Sequence, residues 1–118
     1  MRARALAFVH ALAGSPTPRE RRLLSKSPWS VSAIVLWELA KLVQLGRLAL
    51  DLDAPEVTDA LSHVHVWPLD LATARMSTRL DFTSDPADEL IAATSVVHGV
   101  PLVTRDKRIR KSRLVPLA

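Results

Sequence analysis

Short strand-like runs that pass almost directly into capped helical segments recur along this chain, and that alternation narrows the available folds more than any other feature. Trp29–Ser32 is a compact strand following Pro28, and Ser32 then stands as N-cap for a helix over 33–45, with Gly46 just beyond its end. Residues 48–52 read as a loop or short extended piece. Pro55 opens a helix that runs to about Ser62, His63-Val64-His65-Val66-Trp67 alternates like a strand that stops at Pro68, and 71–80 suits a helix. Asp85 can cap a helix whose first residue is Pro86, whose body over 90–97 is apolar almost all round, and which ends at His98-Gly99. Residues 100–104 then read as a buried strand, 107–111 as a turn or helical fragment and 114–115 as a possible last strand. Nearer the start, 6–12 reads as a short helix closed by Gly14, Ser15, Pro16 and Pro18, with another short helix over 19–25. Strands separated by helices predict an α/β domain with a largely parallel sheet, in which ligands gather beyond the carboxyl ends of the strands.

At 118 residues, 48% of them hydrophobic, the chain fits one packed core, so residues 1–118 are expected to form a single domain. The absence of cysteine excludes disulfides and thiolate metal sites, and the reducing cytoplasm is the least demanding home. Arg2 and Arg4 precede only a modest apolar stretch that His10 interrupts, which speaks against a secretory signal, and no run approaches transmembrane length. The net charge of +4 conceals an uneven distribution. Basic residues cluster up to Lys26 and again from Arg105 to Arg113, while acids dominate between Asp51 and Glu89. Basic ends around an acidic middle can bring a polyanion to a carboxylate-bound metal; solvated helix faces are the plainer account. With no tyrosine and few other aromatics, a base-stacking platform is not expected. Only three glycines occur, far apart, so no phosphate-cradling loop exists.

Three acids carry the chemical interest. Glu38 has Ile34, Val35 and Leu42 as helical neighbours and only Lys41 as a polar one, so its carboxylate must be paired with Lys41, protonated or bound to something. Asp88 falls in the first turn of its helix, where the helix dipole alone favours an acid. Asp106 follows a strand end and can equally cap the next turn. Should the three converge, their oxygens suit a hard divalent cation such as Mg²⁺. The histidines are weaker candidates: His63 and His65 would share a strand face without a third ligand, and His98 lies in a helix's last turn. Trp37 and Trp67 are expected in the core or at an interface.

The segments Val31-Ser32-Ala33-Ile34-Val35-Leu36-Trp37-Glu38-Leu39-Ala40, Asp85-Pro86-Ala87-Asp88-Glu89-Leu90-Ile91-Ala92-Ala93-Thr94 and Leu102-Val103-Thr104-Arg105-Asp106, in this order and spacing, resemble the PIN-domain family, and its VapC-like toxins of type II toxin–antitoxin pairs in particular. The resemblance runs from about Phe8 to the C-terminus. It implies a three-layer α/β/α sandwich with a mostly parallel sheet, and a metal-dependent endoribonuclease whose Mg²⁺ or Mn²⁺ is held by Glu38, Asp88 and Asp106. It also implies products with a 5′-phosphate and a 3′-hydroxyl, a homodimer and a cognate antitoxin. Arg105 and Lys107 would be RNA contacts. Two departures stand out. Family members begin with a central strand ending in Asp-Thr-His, whose aspartate is the first metal ligand. Here that strand is expected to be largely missing, through a late start, a truncation or a degenerate gene, with Arg4 in the aspartate's place. Glu89 stands where a basic residue commonly follows the third acid. A catalytically inactive remnant that binds antitoxin or RNA is the alternative reading, and a phosphate-binding α/β module with no hydrolytic role is a third.

Overall fold

In the computed structural model the described residues are 5–7, 29–104 and 106–118. Four strands, β1 (Ala5–Ala7), β2 (Trp29–Ser32), β3 (His65–Trp67) and β4 (Leu102–Val103), make one sheet in the order β3-β2-β1-β4. Every pairing among them is parallel, with Leu6 opposite both Ser30 and Leu102, and Val31 opposite Val66. The helices are α1 (Ala33–Gln44), α2 (Pro55–Ser62), α3 (Leu71–Ser77), α4 (Pro86–His98) and the single turn α5 (Lys107–Arg110). This is the expected α/β class.

β2 shows why the sheet needs layers on both sides. Successive strand residues face opposite ways, yet Ser30, Val31 and Ser32 are all buried. Val31 joins Val35, Ile91, Ala92, Val100, Leu102, Ile109 and Val115 in the main apolar cluster. On the partly buried side, the Trp67 indole N–H donates to the Ser30 hydroxyl at 2.8 Å, which satisfies a polar group that would otherwise be expensive to bury. Both α1 and α4 pack on β2 and on each other.

The helix ends follow their sequence signals. The Ser32 hydroxyl accepts the Ile34 N–H at 3.4 Å. α1 closes in a Schellman arrangement, with the Arg47 N–H bonded to the Leu42 carbonyl and the Gly46 N–H to that of Val43, and Gly46 takes the left-handed φ of 72° that this requires. Gly99 does the same after α4 at φ 63°. Gly99→Ala is therefore expected to destabilise by about 1 kcal/mol in urea denaturation, although a methyl group there meets no neighbour within 4 Å.

Several expectations are corrected. The central position thought largely missing is filled by Ala5–Ala7, so Leu6 and Ala7 belong to a strand and not to a helix over 6–12. Ala and Leu favour helices, but a gap between β2 and β4 would leave backbone donors and acceptors of both neighbours without partners, and that demand outweighs local preference. Phe8, Val9, His10 and the rest of that helix, the helix over 19–25 and Arg4 lie outside the described residues. His63 is not on a strand; it ends α2, its Nδ1 2.8 Å from the Asp59 carbonyl oxygen. α3 stops at Ser77 instead of residue 80, because the Ser77 and Thr78 hydroxyls bond back to the carbonyls of Ala74 and Arg75 and satisfy the helix end. The strand placed at 114–115 moves outward to a single parallel bridge between Leu102 and Leu117. There the Ser112 hydroxyl accepts the N–H groups of Leu114 and Val115, which bends the chain before it reaches the sheet.

Candidate metal centre

Glu38 rides on α1, the helix that leaves the carboxyl end of β2, between exposed Trp37 and buried Leu39. Its Oε1 is buried and has no hydrogen-bond partner. Burial, followed by the negative charge of nearby Asp88, pushes the Glu38 carboxyl up from 4.5 to about 7. The Glu38–Lys41 pair that the sequence allowed is not the arrangement adopted: the Lys41 ammonium donates to Gln44 Oε1 at 2.9 Å and lies 6.0 Å from the Trp37 ring centre.

Asp88 is the third residue of α4, half-buried at the positive end of that helix. The Ser84 hydroxyl donates to its Oδ2 at 3.3 Å, and the Ser84 N–H donates to Glu89 Oε2 at 3.2 Å. The Asp85 side chain, expected to cap this helix, makes no capping bond, although Asp85 does occupy the N-cap position. Ser84 instead ties the segment before the helix to Asp88 and Glu89 in its first turn. The sequence signal for this arrangement is a serine four residues before one acid and five before the other, which the Asp85-Pro86 capping pattern overlies.

Asp106 is placed differently. Its Oδ1 accepts the N–H groups of Arg108 at 2.8 Å and Ile109 at 3.2 Å, which caps α5, and its Oδ2 lies 3.9 Å from the Arg108 guanidinium. The capping reading of this residue is thus realised. Glu38 and Asp88 are brought together, while no three acids or histidines among the described residues are grouped closely enough to hold a metal. Asp106 and the Glu38–Asp88 pair share the carboxyl-end side of the sheet, since α1 and α5 follow the ends of β2 and β4. Lys107 is exposed on the first residue of α5; Arg105 lies outside the described residues. His65 and His98 both pack on Trp67, with ring centres 4.2 Å apart in each case, and contribute to no acid cluster.

A buried carboxylate oxygen with no hydrogen-bond partner, beside a second carboxylate, is a donor set that suits a hard, oxygen-seeking divalent cation. Asp106→Asn separates the two possible duties of that residue. An asparagine caps a helix about as well as an aspartate, so stability is expected to change by only a few tenths of a kcal/mol, whereas Asp106→Ala costs about 1 kcal/mol by thermal denaturation.

A parallel α/β sheet with acids on the helices that leave its carboxyl ends is the architecture of a PIN domain, and the PIN-domain sequence profile matches residues 5–113. The chain belongs to the PIN-domain family. Among curated proteins it is similar to ribonuclease VapC22 of Mycobacterium tuberculosis, with 36% identity over 88 residues that cover 71% of this chain and 67% of that protein. Solved structures share the fold. A toxin–antitoxin complex from Klebsiella pneumoniae superposes with a TM-score of 0.70 at 20% identity, covering 91% of each chain. VapBC2 from Rickettsia felis, bound to a DNA fragment of its promoter, gives 0.69 at 14% identity over 97% of this chain and 96% of that one. No helix among the described residues is long and apolar enough to cross a membrane.

Proposed function

We propose that this chain is a Mg²⁺- or Mn²⁺-dependent endoribonuclease, the toxin of a toxin–antitoxin pair, in which Glu38 and Asp88 hold the metal and Asp106, which caps α5 here, is the third ligand that the family resemblance selects. The observation that carries this reading is the buried, unpartnered Oε1 of Glu38 beside Asp88. The curated relative's name supports ribonuclease chemistry, and the family membership supports the acids that the resemblance selected. A divalent ion bound there would supply an activated water and charge neutralisation at the scissile phosphate. Glu38 must be ionised to ligate, and it gives up its proton more readily once a cation offsets the charge of Asp88. Ser84 donates its hydroxyl to one Asp88 oxygen and so orients that carboxylate. Lys107 on α5 and the neighbouring Arg105 would meet the RNA backbone. The cytoplasm is the proposed compartment. A homodimer and an antitoxin partner are proposed on the strength of the toxin–antitoxin assemblies that share this fold.

A second reading, a PIN domain that binds antitoxin or RNA without cleaving, is favoured by one observation: the Asp106 carboxylate is committed to capping α5. Glu38→Gln distinguishes the two. In the first case it lowers Mg²⁺-dependent cleavage of RNA roughly a hundredfold or more; in the second the unaltered chain cleaves nothing with or without Mg²⁺, and RNA or antitoxin binding survives the substitution.

A further inference from the structure

The loop between α3 and α4 is fastened to the C-terminal segment at two points far from it in sequence. The exposed Asp81 carboxylate accepts the Ser112 hydroxyl on Oδ1 at 2.6 Å and the Arg113 N–H on Oδ2 at 2.8 Å. Two residues on, the Thr83 carbonyl accepts the Arg108 guanidinium at 3.3 Å, and Arg108 is the residue whose N–H is capped by Asp106. The next residue is Ser84, whose hydroxyl and N–H reach Asp88 and Glu89. Between the clamp and the acid, Phe82 packs against the apolar cluster, so the loop is anchored in the middle as well as at both ends.

We infer that Asp81 is a positioning residue for the candidate metal centre: by clamping Ser112 and Arg113 it fixes the 81–84 loop between Asp106 and Asp88 and so sets the place of Ser84, which orients the Asp88 carboxylate. The inference rests on the metal-site reading above. Asp81 touches none of the proposed ligands and acts only through the loop. Both of its oxygens are engaged by donors from one turn, the fork geometry by which a carboxylate fixes a backbone segment instead of merely neutralising charge. The hydrogen bonds from Ser112 and Arg113 hold its carboxyl below the ordinary range, so the clamp is fully charged near neutral pH. Residues that orient ligands in this way alter metal affinity without binding metal themselves.

The test is calorimetric titration of Mn²⁺ into the full chain and its variants, at a temperature well below every melting midpoint. Asp81→Ala is expected to weaken Mn²⁺ binding about tenfold. Asp81→Asn keeps an oxygen for Ser112 but presents an amide to the Arg113 N–H, so its affinity falls between the two. Ser112→Ala, which leaves the charge of Asp81 in place, weakens binding in the same direction. Glu56→Ala removes an equal charge from exposed α2 and is expected to leave affinity unchanged. Equal affinity in Asp81→Ala and the unaltered chain overturns the inference while sparing the metal site. So does an equal loss in Glu56→Ala, which would reduce the effect to net charge. Failure of the unaltered chain to bind Mn²⁺ overturns the metal-site reading itself and this inference with it. If Asp81→Ala does not fold, the Asp81→Asn and Ser112→Ala titrations decide alone.

Discussion

Glu38→Gln is expected to make the protein more stable at pH 8 and, on the proposed ribonuclease function, to lower Mg²⁺-dependent cleavage of RNA roughly a hundredfold or more. The stability change follows from the sign of the pKa shift. Folding raises the Glu38 carboxyl from 4.5 to about 7, so the folded chain holds that proton more tightly than the unfolded chain does. The contribution of Glu38 to stability is therefore most favourable below about pH 4.5, declines as pH rises through the window to about 7, and is unfavourable by its full amount above it. Glu38 keeps partial contact with solvent, and solvent screening together with the new amide's own need for partners reduces the gain from Gln to about 1–2 kcal/mol at pH 8. The gain should vanish near pH 4. Thermal midpoints of the two proteins across pH 4–8 measure the window, and cleavage of labelled RNA with and without Mg²⁺ measures the loss. A variant less stable than the parent at pH 8 would contradict the assignment of Glu38 as a carboxylate strained by burial and by Asp88. The same logic predicts that Mg²⁺ at a hundred times its dissociation constant adds about 2.7 kcal/mol of stability to the parent at pH 8, seen as a higher midpoint, and far less to the variant.

Ile91→Ala is expected to be the most damaging single truncation in the described core, at about 3–4 kcal/mol in urea denaturation and roughly 10 °C or more in midpoint. Ile91 is fully buried on the face of α4 that meets Val31 and Val35, where β2, α1 and α4 join. The other members of its cluster are themselves almost fully buried and close-packed, so the space that a lost side chain leaves is expected to stay largely open. The effect should reach the site, because Asp88 lies one turn before Ile91 on the same helix and Glu38 one turn after Val35 on α1. Loosening that junction lets the two carboxylates move apart. The Glu38 carboxyl is then expected to titrate closer to 4.5, which NMR observation of its side chain would follow. A loss below 1.5 kcal/mol would mean that α4 is not held by this junction.

Much of the fold was legible because its signals are local. Pro55 and Pro86 at first helical positions, Ser32 before α1, and Gly46 and Gly99 after α1 and α4 each act through the backbone of a few residues, and each stands where it was read. What the chain decides at long range was not legible in the same way. Ala5–Ala7 has the composition of a helix and becomes a strand because two distant strands offer it partners. The last bridge falls at Leu117 and not at 114–115 because the Ser112 hydroxyl turns the chain first. The candidate site divides along the same line. That Glu38 would be a costly carboxylate on an apolar helix face followed from its neighbours alone, and its nearness to Asp88 followed from family resemblance. That Asp106 would cap α5, and that Ser84 and Glu89 rather than the Asp85 side chain would hold the start of α4, depended on which of several competing donors each side chain reaches.

The position of β1 has a consequence for the order in which the molecule can assemble. Leu6 pairs with Leu102 as well as with Ser30, so the strand in the middle of the sheet has one of its two neighbours only after nearly the whole chain has been synthesised. β1, β2 and β3 can pair early, but the sheet is completed last, when β4 adds beside β1 across a sequence separation close to the chain length. Topologies of that kind fold slowly for their size, because a large loop must be closed before its contacts reward it. Nascent chains paused before residue 102 should therefore remain open to proteases at β1, and protection should appear in one step once β4 is available to receive it.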